Sequence, residues 1–226
     1  MVLNVEAWAE VADTLHTERN FSAYQTVVKT FAKLWEYTPA AIPLGAPAAI
    51  RLLLIVAVLN NDTTLLNATL PHSNDVDDAF LIKLRGKAKQ LGQTNQIIKL
   101  SLACTNDREV VSGLIEAAKY GEWATVRDEY TLVKADLLTA VFQHIVLGGE
   151  ESLAKEFEAY HVPHTYEVIA QAIRDAAHRQ VSVCTPRVIW FLSGARLATL
   201  NNLSKVCNEK DRVALYALIV QRLNPT

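Results

Sequence analysis

The chain has 226 residues, of which 50% are hydrophobic and 20% charged, and it carries a formal net charge of −2. This is enough chain for one large domain or one elongated array. The balanced charge, without clustered Lys and Arg, argues against a phosphate-binding surface and so against nucleic acid as a partner, and the 8 Gly and 7 Pro are too few for the tight turns of a β-sandwich.

In chain order, the N-terminal MVLNVEAWAEVAD lacks the basic and apolar regions of a signal peptide. Residues 4–17 place Val5, Trp8, Val11, Ala12 and Leu15 at helical spacing, and residues 21–37 do the same with Tyr24, Val27, Val28, Phe31 and Leu34. The segment TPAAIPLGAP, residues 38–47, contains three prolines and a glycine. It forbids a continuous helix and reads as an ordered linker. The chain therefore divides into a helical pair over 1–38, a Pro-rich linker over 39–47 and a helical array over 48–226. The longest apolar run, Leu52 to Leu59, has eight residues, far short of the ~20 that cross a bilayer, and it reads as a buried helix.

Beyond the linker a rhythm sets in, with each apolar helix ending in a short polar turn before a second helix. The turns centre on Asn60, Gly92, Gly121, Gly149, Arg179 and Asn208, spaced by 32, 29, 28, 30 and 29 residues. A period near 30 is the mark of stacked helical repeats. All but Arg179 are Gly or Asn, the residues that tolerate the left-handed conformation at a helix end. Five positions after the turns stand Leu65, Ile97, Val126, Ala154 and Val213, each expected to anchor its second helix. Capping signals support the helix starts: Asn106 with Glu109, Thr165, and Thr185 before Pro186. Helices are predicted near 47–59, 63–70, 77–91, 94–104, 107–119, 123–131, 135–147, 150–159, 166–178, 186–193, 195–206 and 209–222. The predicted class is all-α, built from stacked antiparallel helix pairs.

Residues 114–126, LIEAAKYGEWATV, resemble the inner-helix ending of an ankyrin repeat, L-x-x-A-A-x-x-G, through Leu114, Ala117, Ala118, Gly121 and Val126. Residues 137–154 and 50–65 follow the pattern more loosely, while the family's T-P-L-H helix start and its Asp-rich turn finger are absent. Other helix-pair solenoids, of the HEAT or TPR kind, stay open. The resemblance implies a degenerate ankyrin-like array that binds protein. Divergent arrays of this kind are similar to those of bacterial effectors delivered into a host cytosol.

No GxSxG, HExxH, GxGxxG or GxxxxGK[ST] signature occurs, so no catalytic, metal or cofactor site is assigned. The three cysteines, Cys104, Cys184 and Cys207, are odd in number and widely spaced, which suits a reducing, cytoplasmic compartment. Cys104 reads as a small buried residue; Cys184, just before a helix start, is where a thiolate could be stabilised. Trp8, Trp35 and Trp190 lie in apolar helical contexts and read as core. Trp123 opens a second helix, where it is either exposed or a staple to a neighbouring helix.

Stacked helix pairs gather the loops between repeats on one edge, here His72, Asp75, Val133, Lys134, Tyr160, His161, His164 and Tyr166. The first reading is a protein-interaction module that uses this edge, with Trp123, Tyr160, His161, His164 and Tyr166 as partner-binding residues. The alternative is an enzyme with an inter-helix pocket, using a Cys or His, where the N-terminal pair covers one side of the array. The final helix, VALYALIVQRL, is apolar for a solvent-facing cap and suits self-association.

Overall fold

The computed structural model describes residues 3–37, 40–43, 46–148, 150–162, 166–178, 182–184 and 186–224. Among them are fourteen α-helices and no strand: α1 (Val5–Thr17), α2 (Phe21–Tyr37), α3 (Pro47–Leu59), α4 (Thr63–Thr69), α5 (Asp78–Gln90), α6 (Thr94–Leu102), α7 (Asp107–Tyr120), α8 (Trp123–Glu129), α9 (Thr139–Gly148), α10 (Glu151–Ala159), α11 (Tyr166–His178), α12 (Pro186–Leu192), α13 (Leu197–Val206) and α14 (Glu209–Leu223). The chain falls into two units, Met1–Gly113 and Leu114–Thr226.

In the first unit α3 is the hub. Pro47 opens it at a position where a missing N–H costs nothing, and it is apolar apart from Arg51. Ile50, Leu53, Leu54, Val56, Ala57 and Val58 are each at most 1% exposed, as a helix surrounded by others must be. It packs against α1, α2, α4 and α5; α1 also packs on α2, α5 on α6, and α4 on α6. Burying each large side chain of this kind contributes about 1.5–3 kcal/mol. Side-chain amides stitch the turns together. Asn60 Nδ2 donates to Ala32 O at 2.9 Å, tying the end of α3 to α2, and Gln93 Nε2 donates to Val58 O at 2.9 Å, tying the α5–α6 turn to the last turn of α3. Asp78 accepts from the backbone N–H groups of Thr105 and Asn106 at 2.8 and 3.0 Å, so the start of α5 holds the loop before α7.

In the second unit α9 packs against α10, α11 and α12, α11 against α13, and α14 against both α12 and α13. Phe142 sits at its centre, stacked on Phe157 at 6.3 Å and edge-on to Phe191 at 5.6 Å. Asp211, fully buried, accepts from Ser182 Oγ, from the N–H groups of Val183 and Cys184, and from Asn208 Nδ2, and thereby ties the strap before α12 to the start of α14.

Most helices lie where the periodicity places them, but several finer expectations fail. The helix expected over 135–147 is broken into a single 3-10 turn, Ala135–Leu137, and α9, with Leu138 fully buried at the break. Gly92 and Gly121 adopt the left-handed conformation, with φ of +70° and +76°, but at the first turn Asn61 (φ +52°) takes that role in place of Asn60. Asn60 is helical and spends its side chain on Ala32. Asn208 is a helix start, not a helix end: its Oδ1 accepts from Asp211 N at 2.9 Å. At the other described turns an N-cap residue follows the turn centre, whereas Asn208 is itself the N-cap, so counting five positions from it lands on another face of the helix: Val213 is 68% exposed, while Asp211 and Leu215, four apart, are buried. Leu65, Val126 and Ala154 are buried as expected, and Ile97 is partly so. Asn106 does cap α7, accepting from Arg108 N at 2.9 Å, but Glu109 reaches away to Arg85 instead of closing a capping box. Trp190 is 43% exposed, and Val11 and Leu34 are also exposed, whereas Ala9, Ala32 and Trp35 are buried on the faces that pack. Gly149, Thr165, Arg179 and Thr185 lie outside the described residues.

Candidate functional site

Of the five residues singled out for partner binding, the structure describes the side chains of Trp123, Tyr160 and His161. Trp123 is partly buried at the start of α8 and acts as a staple. A Cβ placed on Gly148 would stand 2.6 Å from its Cη2 and 2.7 Å from its Cζ2. The indole therefore fills the space above the last residue of α9, and only glycine leaves that space free. Tyr160 follows the far end of α10, about 13 Å along the helix axis from the α9–α10 turn. Its hydroxyl donates to Val133 O at 3.1 Å, and its ring meets Tyr130 edge-on at 5.2 Å. Val133 itself is buried, between the exposed Leu132 and Lys134. His161 is exposed, with a φ of +61°. His72, Asp75 and Lys134 are exposed as well. His164 and the side chain of Tyr166 lie outside the described residues.

The cysteines are poorly set for nucleophilic chemistry. Cys104 is buried, and burial, with Asp78 and Glu109 adding to it, pushes its thiol up to about 11. Cys184 is pushed up further, by burial first and then by the adjacent Asp211 carboxylate. The expected stabilisation of a Cys184 thiolate is thus reversed: the group before α12 is an anion. Cys207 is buried and also raised, chiefly by burial. Among the described residues no group of three His, Cys, Asp or Glu could hold a metal ion, and no helix is long and apolar enough to cross a membrane.

A concave surface lies in the first unit, where α1 and α2 meet α3 and α5. It is a groove of about 520 Å³. Its floor is apolar: Ile55 and Leu59 from α3, Phe80 and Leu84 from α5, Phe21 and Val28 from α2. Each helix contributes residues four or seven apart, the spacings that return to one helix face. Lys29 stands on the α2 side and Lys83 and Lys87 on the α5 side. His16 and Tyr24 close one end, with their rings edge-on at 5.4 Å, and beyond them lies a smaller cavity of about 90 Å³ reaching Asp13 and Arg51. Arg51 Nη2 donates to Asp13 Oδ1 at 3.4 Å. Burial raises the Tyr24 hydroxyl above its ordinary range, with Arg51 pulling the other way.

Sequence reasoning did not find this groove. Its floor residues look like core positions one helix at a time, and its lysines look like a solvated helix face. The one available signal was the idea that the N-terminal pair covers a side of the array and leaves a cleft. The chain matches no protein-family model, no curated protein and no solved structure.

Proposed function

We propose that this protein is a recognition scaffold: an ankyrin-like array of stacked helix pairs that binds a partner protein and positions it on a rigid helical surface. The observation that carries the reading is the open apolar groove between α2 and α5. Phe21, at the α2 side of the apolar lining, is 53% exposed, and exposed aromatic side chains in a preformed groove are the usual anchors of protein interfaces. The repeat spacing of the turns and the ankyrin-like segment 114–126 support the array. The exposed His161 keeps the loop edge as a second contact zone.

Affinity capture with the full chain tests this. A protein retained by the wild type and lost from a Gln25→Trp variant, in which a large ring fills the groove, fits the reading. Loss only on replacing His161, His164 and Tyr166 with Ala would move recognition to the loop edge. A wild type that retains no protein contradicts it.

One observation favours self-association in addition. Val213, Tyr216, Val220 and Leu223 are each half exposed or more along α14, at alternating intervals of three and four, the pattern of a two-helix seam. The same stripe on a second copy would pair with it about a two-fold axis. Sedimentation should show a concentration-dependent dimer that Val220→Glu abolishes; a monomer at all concentrations removes this reading.

A further inference from the structure

We infer that the occupant of the groove in the first unit is an acidic amphipathic α-helix of the partner; this rests on the recognition reading above. The shape comes from the helices that build the groove. Ile55 and Leu59 are one turn apart on α3, Phe80 and Leu84 one turn apart on α5, and Phe21 and Val28 two turns apart on α2. At 1.5 Å per residue this is an apolar trough about 6–11 Å long. It matches the length over which a docked helix presents apolar side chains at i, i+3 or i+4, and i+7.

The charge comes from the rims. Lys29, Lys83 and Lys87 are exposed, make no ion pair among the described residues, and share the groove with no Asp or Glu. The neighbouring carboxylate, Asp13, lines the smaller cavity and is engaged by Arg51. Lys83 and Lys87 are i, i+4 on α5, so cations repeat once per turn along one rim while a third faces them from α2. A ligand with a single anionic head, such as a fatty acid, satisfies one rim only. A helix with carboxylates on both flanks of its apolar stripe satisfies both. Basic or neutral helices would leave the three lysines facing like charge or none. Rim charges of this kind act on association rate, partner choice and salt dependence more than on the buried contact itself.

The test uses the full chain and three labelled peptides of about 20 residues, followed by fluorescence anisotropy. The first has Leu at i, i+3, i+4 and i+7 with Glu on both flanks. The second has the same apolar face with Lys in place of Glu. The third is the first with its apolar positions scrambled. The first should bind about tenfold or more tightly than the other two, and its advantage over the second should fall as salt is raised. Lys29→Glu, Lys83→Glu and Lys87→Glu together should invert the preference between the first and second peptides while the circular dichroism spectrum stays that of the wild type. Equal binding of the first two peptides, a preference unaltered by the three substitutions, or binding of oleate but of no peptide would overturn the inference. If no peptide binds while a captured protein is still lost from Gln25→Trp, the helix inference falls and the recognition reading stands. If Gln25→Trp loses nothing, the helix inference falls, and the recognition reading falls with it unless replacing His161, His164 and Tyr166 with Ala loses the captured protein.

Discussion

Replacing Asp211 with Asn keeps the shape of the side chain and removes its charge, and the second unit should register the change at several points. The carboxylate is fully buried and accepts from Ser182 Oγ, from Val183 N at 3.2 Å, from Cys184 N at 3.0 Å and from Asn208 Nδ2 at 3.0 Å. An amide keeps one acceptor oxygen: at the Oδ1 position it can still accept from Ser182 Oγ, Val183 N and Cys184 N, but its NH₂ group then faces the Asn208 Nδ2 donor, and the bonds that remain lose their charge. Hydrogen bonds to a charged group are worth about 1.5–3 kcal/mol each, and a buried donor left unpaired costs about 1–3 kcal/mol. The sum is not additive, and a loss of about 3–5 kcal/mol is expected. For a chain of this size that corresponds to a Tm lower by roughly 10 °C. Thermal and urea unfolding followed by circular dichroism measure the loss. Hydrogen exchange locates it, with the Val183 and Cys184 amides exchanging faster than in the wild type. A variant within about 1 kcal/mol of wild type, or unchanged protection of those two amides, would refute the reasoning.

Gly148→Ala should destabilise by about 1–3 kcal/mol in urea unfolding, because the new methyl collides with the Trp123 ring. In a Trp123→Leu background the same change should become neutral or stabilising. Cys104 holds its proton more tightly when folded than when unfolded, its thiol rising from 9.0 to about 11. Its contribution to stability is therefore full below about pH 9 and is lost as the pH climbs toward 11, and Cys104→Ala should flatten that alkaline limb. His144 is shifted the other way, lowered from 6.5 first by burial and then by Lys119, with Glu116 opposing. The folded state binds that proton less readily, so stability should fall as the pH drops below 6.5, and His144→Gln should reduce the slope of unfolding free energy against pH there.

Helix existence and most helix ends were legible because they depend on local signals. Pro47 and Pro186 open helices, and Gly92 and Gly121 reverse the chain at positive φ. Those signals do not say which way a helix is turned. Val213 and Leu215 look alike in the sequence, and only the packing of α14 on α12 and α13 decides that Leu215 faces the core. Trp190 was misplaced for the same reason: apolar neighbours do not fix the face on which a ring lies. The Asn208–Asp211 pair was visible as Asn followed three residues later by Asp, yet its reach to residues 182–184 is a tertiary contact with no local signature. The groove was the least legible feature. It needs Phe21, Ile55 and Phe80 from three helices to converge, and convergence is a property of packing. The loop-edge residues show the reverse limit. Tyr160 has the chemistry of an interface anchor, but its hydroxyl is committed to Val133 O.

The most direct test is methyl NMR of the full chain during titration with the acidic amphipathic peptide. The account predicts shifts concentrated on Val28, Ile55, Leu59 and Leu84 and weak or absent at Val213 and Val220 of α14. Saturating binding that leaves those four groove methyls unmoved, or that shifts the α14 stripe instead, would contradict it.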